Sequence, residues 1–374
     1  MALPLAELLR EHWPHFQRSH RRHLCAAHYR AVRSVLACRT PMLGGRLHAC
    51  SSCGKHHFAY HSCNHRSCPQ CGALDQQLWT AKQEARLLPV PYFLVTFTIP
   101  EPLRALCKAH PSELYDLLLR ESAAALQDLA QTKLKGAQLG FTSVLHTWGR
   151  QMQHHPHVHC IVPSIALNTQ TRHLVRPHGD GFLLHFRPLA QRFRNRLRLA
   201  LQQRHPAIHQ TLNAAQRRAF STATTWNVQL QPAGNGQSAL RYLARYVHQS
   251  AFKAKRLLGY DAKGNVRLAW TSSSTGKRAV LHLHPHEFIR RWCLHVLPKA
   301  FTRVRHYGFQ SSAAKKTRTL LRTLLGASLN EPLPVLPEPE PFACPHCGGE
   351  LRFQRPLPRL SLARGPPICR SPPI

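Results

Sequence analysis

His155-Pro156-His157-Val158-His159-Cys160-Ile161-Val162 carries a two-residue repeat that gains meaning in an extended chain. Successive side chains of a β-strand point to opposite faces, so His157 and His159 share one face and Val158 takes the other. Two parallel imidazoles, joined by a third ligand from elsewhere, hold a divalent ion and leave coordination positions open. Such an ion polarises a scissile phosphate and orients it for in-line attack. With 28 histidines in 374 residues, a pair at this spacing also arises by chance, so its meaning depends on what surrounds it.

Working outward, residues 140–148 form a second strand one polar turn upstream, which predicts an antiparallel pair. Tyr92-Phe93-Leu94-Val95-Thr96-Phe97-Thr98-Ile99 is β-branched and aromatic throughout and predicts a third. A helix follows with Leu114, Leu117, Leu118 and Ala125 on one side, and later an Arg-rich helix with Leu189, Phe193, Leu197 and Leu201 at spacing four. Then come a strand over 225–230, a helix from 237 to about 251, a hairpin of 266–271 with 278–283, and a helix over 288–297. Strands interleaved with helices around an antiparallel pair predict an α+β sheet domain over 89–313.

Residues 1–88 read as a small N-terminal helical domain that binds zinc and DNA. Leu5, Leu8, Leu9 and Trp13 open one helix, others are expected over 20–36 and 74–88, and Pro89-Val90-Pro91 ends the unit. Residues 314–374 read as a basic helix, a Pro-rich linker and a short Cys-containing tail.

The charge balance narrows the function. Lys and Arg number 51 against 16 Asp and Glu, a formal net charge of +35. A compact chain so charged repels itself unless a polyanion neutralises it, and nucleic acid is the expected partner. No uninterrupted apolar window spans a membrane, and the N-terminus lacks the basic-then-apolar pattern of a secretory signal. The expected location is cytoplasmic, with no membrane partner, and there 13 cysteines point to metal rather than disulfides.

Cys50-Ser51-Ser52-Cys53 and Cys68-Pro69-Gln70-Cys71 are two CxxC knuckles separated by residues 54–67. Four thiolates leave a tetrahedral ion no open position, so Cys50, Cys53, Cys68 and Cys71 are expected to hold one structural Zn²⁺. Cys63, His57, His61 and His65 between them could replace a ligand, hold a second ion, or form a basic surface facing DNA. Cys344-Pro345-His346-Cys347 has only Cys369 for company in the tail and is expected to form no site.

Leu240, Leu243, Ala244 and Val247 form the core stripe of an amphipathic helix. Tyr242 and Tyr246 are neighbours four apart, lying roughly opposite that stripe with Gln249, while Arg241 and Arg245 flank them as candidate DNA contacts. Packing tyrosines belong on the apolar side; a tyrosine off it can stack bases or attack a phosphodiester. Covalent phosphotyrosine conserves the bond energy, so strand transfer needs no ATP. Gly276-Lys277 has Thr271 where a P-loop requires its first glycine. The 16 acids form no pair suited to two-metal carboxylate chemistry. Gln249 is the candidate third metal ligand, with His248 and His146 as alternatives.

The ordered set of cysteine cluster, Phe93 to Pro100, Leu145-His146-Thr147-Trp148-Gly149, His155 to Cys160, and Tyr242-Leu243-Ala244-Arg245-Tyr246 resembles one known family. Phe288-Ile289-Arg290-Arg291, His295 to Lys299 and Arg305-His306-Tyr307-Gly308 complete it. It resembles the rolling-circle transposases of the insertion-sequence ninety-one family, the two-tyrosine HUH class. The resemblance implies a ferredoxin-like antiparallel HUH nuclease sheet, His157 and His159 as the ligands of Mg²⁺ or Mn²⁺, and Tyr242 and Tyr246 as nucleophiles leaving 5′-phosphotyrosine. It further implies single-stranded, hairpin-containing DNA at element ends, target DNA, and an N-terminal zinc domain that helps bind those ends. The same chemistry would serve a plasmid replication initiator, and an inactive zinc-containing DNA-binding copy would share the composition.

If polyanion binding governs this chain, its affinity for DNA falls about a thousandfold or more between roughly 50 and 200 mM salt. Filter binding across that range measures it, and a salt-independent affinity refutes the charge argument.

Overall fold

The computed structural model describes residues 3–176, 184–248, 250–272, 275–328 and 343–360. The N-terminal stretch forms α1 (Leu5–Ser19), α2 (Ala26–Ala37), β1 (Gly45–Cys50), β2 (His56–Tyr60) and α3 (Ala73–Glu84). The middle forms β3 (Tyr92–Thr98), α4 (Glu101–Ala109), α5 (Pro111–Lys133), β4 (Phe141–Trp148), β5 (His154–Pro163), β6 (Ala166–Asn168) and β7 (His173–Val175). It continues through α6 (Phe186–Arg204), α7 (Pro206–Gln210), α8 (Ala214–Ala219), β8 (Asn227–Pro232) and α9 (Gln237–His248). The remainder is β9 (Leu257–Tyr260), β10 (Val266–Thr271), β11 (Arg278–Leu283), α10 (Pro285–Cys293), β12 (Val304–Tyr307), α11 (Lys315–Leu324) and β13 (Leu351–Leu357).

The chain is α+β, as its sequence implies. Its main sheet has the order β12-β4-β5-β3-β8 with every pairing antiparallel. Period-two alternation sorts the side chains of its three central strands between two cores. Val95, Phe97, Leu145, Val158, Cys160 and Val162 meet α5 and α6, where Leu189, Phe193, Leu197 and Leu201 are the expected stripe. Tyr92, Leu94, Val144 and Ile161 face the other way and meet Ala239, Leu240, Leu243 and Val247 of α9.

Two close approaches seat α9. Before its N-terminus, Gly236 adopts φ +83°, and a Cβ there would lie 2.9 Å from the Tyr92 ring. The Tyr92 N–H donates to the Gly234 carbonyl at 2.7 Å, and the Ala233 N–H to the Tyr92 carbonyl at 2.8 Å, pinning the entry loop to β3. At the far end Gly72, at φ +85°, lies so close to the His248 carbonyl that a Cβ would come within 2.0 Å of its oxygen.

Packing ties the expected units to one another. Within residues 1–88, α1 and α2 share one core with Val266, Leu268, Phe288, Ile289 and Trp292, and the Trp292 indole donates to the Ser67 carbonyl at 3.2 Å. Two short amphipathic helices have too little apolar surface to cover each other, and their stripes need a further layer. The Cys-containing tail joins the N-terminal strands as well. β13 pairs antiparallel with β1, giving a sheet of order β13-β1-β2. Smaller differences lie at helix ends: α2 begins at Ala26 after a 3₁₀ turn at Arg21–His23, α3 stops at Glu84, and α9 runs to His248. Gln249 lies outside the described residues.

Gly72→Ala imposes a left-handed backbone on a residue with a side chain, at a cost of about 1–3 kcal/mol before any clash. The expected outcome is a lower Tm in thermal unfolding; an unchanged Tm contradicts the contact between Gly72 and the end of α9.

Candidate active site and metal centres

Strand register assembles the histidines. His146 on β4 lies opposite His157 on β5, and Val144 opposite His159, while Thr96 on β3 lies opposite His159 from the other side. All three imidazoles therefore emerge on the face covered by α9, and their ligand atoms lie within 4.8 Å of one another. Each is buried. Burial holds His157 down to about 4, and burial with neighbouring imidazoles holds His146 and His159 well below the ordinary histidine value. Neutral imidazoles are the form that ligates metal.

The proton positions suit this. His157 Nδ1 donates to the His155 carbonyl at 2.6 Å, which leaves its Nε2 as an acceptor, 2.9 Å from His146 Nδ1. Thr96 Oγ1 lies 2.9 Å from His159 Nδ1. Histidines that ligate metal commonly have their second nitrogen held in this way by a carbonyl or a polar side chain. The Nε2 atoms of His159 and His146 are buried without a hydrogen-bond partner. An orphaned buried nitrogen is costly unless something fills the space beside it. The donor set therefore fits a divalent ion bound by His157, His159 and His146. Among the alternatives for the third ligand, His248 sits instead against Trp79, ring centroids 6.1 Å apart.

The tyrosines lie over this cluster. Tyr242 is 37% exposed, with its ring 6.0 Å from that of His159. Tyr246 is half-buried, 4.0 Å from His146 and 5.8 Å from Trp148. The two tyrosine rings meet edge-on at 4.9 Å. Burial, then the Tyr242 hydroxyl, pushes the Tyr246 phenol above its ordinary value, while Arg245 and Arg150 pull it down. Of the two arginines expected to touch DNA, Arg245 is exposed. Arg241 is exposed too, but its guanidinium pairs with Glu84 of α3 at 2.7 Å.

Several site residues have no local sequence signal. Arg303 is buried and donates to the Tyr246 carbonyl, placing a cation on the last turn of α9. Arg256 reaches the Arg150 carbonyl at 2.7 Å and orders that loop. Thr96 is a buried strand residue whose role appears only through its partner.

The cysteine pairing differs from the expected one. Cys68 and Cys71 gather with Cys38 and Cys63, whereas Cys50 and Cys53 gather with Cys344 and Cys347. Thus Cys50, Cys53, Cys68 and Cys71 are not one site. The physical reason is strand geometry: β1 delivers the first knuckle to the end of the β13-β1-β2 sheet, and the second knuckle leads into α3 beside α2. Neither cluster includes His57, His61 or His65. In the first cluster Cys38 and Cys71 Sγ are 3.5 Å apart, and Cys63 and Cys71 3.7 Å. These cysteine clusters suit structural zinc. Among the described residues no helix is long and apolar enough to cross a membrane.

Two family profiles match this chain: one described as "Transposase zinc-binding domain" over residues 8–99 and one as "Putative transposase" over 140–318. The chain is 34% identical to "Putative transposase y4qJ" of Sinorhizobium fredii (strain NBRC 101917 / NGR234), over 88% of its length and 85% of that protein. It is 28% identical to "Transposase for insertion sequence element IS801" of Pseudomonas savastanoi pv. phaseolicola, over 74% of its length and 69% of that protein. No solved structure gives a significant match.

If His146 completes the ion site, His146→Ala lowers Mn²⁺ affinity by at least about tenfold, and Gln249→Ala leaves it unchanged. Mn²⁺ titration followed by electron paramagnetic resonance measures both, and the reverse ranking assigns the third ligand to Gln249.

Proposed function

The chain belongs to the IS91 family of transposases, and from that premise we propose that it nicks and joins single-stranded DNA through a 5′-phosphotyrosine intermediate during rolling-circle transposition. DNA is the substrate class of a transposase. The finer reading is carried by one juxtaposition: Tyr242 and Tyr246 lie over three buried, neutral histidines, two of which have an unpartnered Nε2. Mg²⁺ or Mn²⁺ held by His157, His159 and His146 would draw electron density from the scissile phosphate.

The chain's own residues supply the rest. A tyrosine Oη attacks phosphorus, the bond to the 3′ oxygen breaks, and the phenolic proton reaches that leaving oxygen through solvent. Arg150 and Arg245, which already ease ionisation of Tyr246, favour the anionic phosphate and the developing phenolate. Tyr242, more exposed, is the readier to meet a strand arriving from solvent, and Tyr246 stands behind it nearer His146. Two nucleophiles allow donor and target strands to be cut in succession before rejoining. The element's hairpin-containing end is the proposed single-stranded substrate.

Incubating a labelled hairpin-containing single strand with protein and Mn²⁺, then running a denaturing gel, tests the reading. The native chain yields a protein-linked band, Tyr242→Phe or Tyr246→Phe weakens it, and the double variant or His157→Ala removes it. An undiminished band from the double variant refutes tyrosine attack. A native chain that binds this DNA yet forms no adduct with Mn²⁺ or Mg²⁺ is a binding protein.

A further inference from the structure

The second cysteine cluster joins the two ends of the chain. Cys50 closes β1 and Cys53 lies in the turn after it, while Cys344 and Cys347 come from the turn before β13, with Cys53 and Cys344 separated by 291 positions. The two knuckles have the same local build. In each, a glycine after the second cysteine takes a positive φ, +68° at Gly54 and +74° at Gly348. In each, that glycine's N–H donates to the carbonyl of the first cysteine, Gly54 to Cys50 at 3.0 Å and Gly348 to Cys344 at 2.8 Å. The Ser52 N–H points at Cys50 Sγ at 3.4 Å, the kind of donor that steadies a thiolate. Gly349 packs so tightly on the first knuckle that a Cβ would lie 2.5 Å from Ser52 Oγ and 3.2 Å from Cys50 Sγ.

Sulfur spacing separates a metal from disulfides. A tetrahedral ion with Zn–S bonds of about 2.3 Å has sulfur–sulfur edges of about 3.8 Å, against about 2.05 Å in a disulfide. Cys50 and Cys347 Sγ lie 3.5 Å apart, Cys53 and Cys344 Sγ 3.8 Å, and all four sit within 4.8 Å of one another. The zinc-binding family profile ends at residue 99, so half of this ligand set lies outside it.

We propose that Cys50, Cys53, Cys344 and Cys347 form a second structural zinc site, one that staples the C-terminal strand β13 into the N-terminal sheet. The site is closed, with four thiolates and no open position, so its work is architectural. It also answers an electrostatic difficulty. β13 brings Arg352 and Arg355 against β1, which carries Arg46, in a chain already strongly cationic. Four thiolates around a divalent ion carry net negative charge and offset that repulsion. The staple sets Arg355 and Phe58 on either side of Leu47, and Arg352 and His56 on either side of Ala49, on one face of the sheet.

The test is independent of strand-transfer chemistry. Metal analysis of the full chain, purified under reducing conditions, is expected to give two zinc ions per chain. Cys344→Ser/Cys347→Ser is expected to retain one, and to lose hydrogen-exchange protection over Leu351–Leu357 while the amides of β3, β4 and β5 stay protected. Cys68→Ser/Cys71→Ser serves as the reciprocal variant, retaining the ion at the chain ends. One zinc in the native chain, or two in Cys344→Ser/Cys347→Ser, overturns the proposal.

Discussion

The pleat of β5, held between β4 and β3, is the constraint from which the site follows. Its odd-numbered residues His157, His159 and Ile161 face α9, and its even-numbered residues Val158, Cys160 and Val162 enter the core against α5 and α6. A slip of one residue would exchange the two sets, driving imidazoles into an apolar core and valines against the tyrosines. The apolar set therefore fixes the polar one. Val158 and Val162 are fully buried, and the hydrophobic free energy that pays for their burial also aligns His157 with His146 and His159 with Thr96.

α9 is held to that face more by its flanks than by its own length. Its twelve residues make only about three turns, too few for stability alone in water. Leu240, Leu243 and Val247 anchor it on the sheet, the entry loop is pinned to Tyr92, Gly72 lets α3 close on its end, and Arg303 binds its last turn. The tyrosines consequently sit at the edge of the helix–sheet contact rather than wholly outside it. Tyr242 stays accessible, while Tyr246 packs on His146 and Trp148 and meets the desolvation that raises its pKa. Gly72 directly follows Cys71, so the cluster of Cys38, Cys63, Cys68 and Cys71 is mechanically joined to α9, the helix that carries Tyr242 and Tyr246.

Features set by local periodicity were legible in the sequence. The alternation in 155–162 implied the shared face of His157 and His159, and the spacing of Leu240, Leu243, Ala244 and Val247 implied which side of α9 the tyrosines leave. Features set by long-range pairing were not. Nothing near His146 marks it as the neighbour of His157 until the register of β4 on β5 is known. A CxxC turn is recognisable as half of a tetrahedral site, but its other half is chosen by strand order. The short gap between Cys53 and Cys68 favoured the nearer partner, while β1 runs alongside β13 and carries its knuckle to the far end of the chain. Arg303 looks like any of the 51 basic residues until its burial is seen.

The scarcity of acid residues then becomes part of the chemistry. Several carboxylates of the fold are committed elsewhere: Glu121 and Asp128 to Arg196, Asp116 to Arg120 and Arg305, Glu287 to Arg290 and Arg291, and Glu84 to Arg241. The ionic groups that act on Tyr246, other than Tyr242, are arginines. An ion bound by neutral imidazoles keeps its full charge, whereas carboxylate ligands would cancel part of it. With arginines nearby, such a centre carries a positive charge that no described side chain beside it neutralises. On the proposed function, a phosphodiester would supply the missing anion. The excess of cationic over acidic residues along the whole chain therefore reappears locally at the tyrosines.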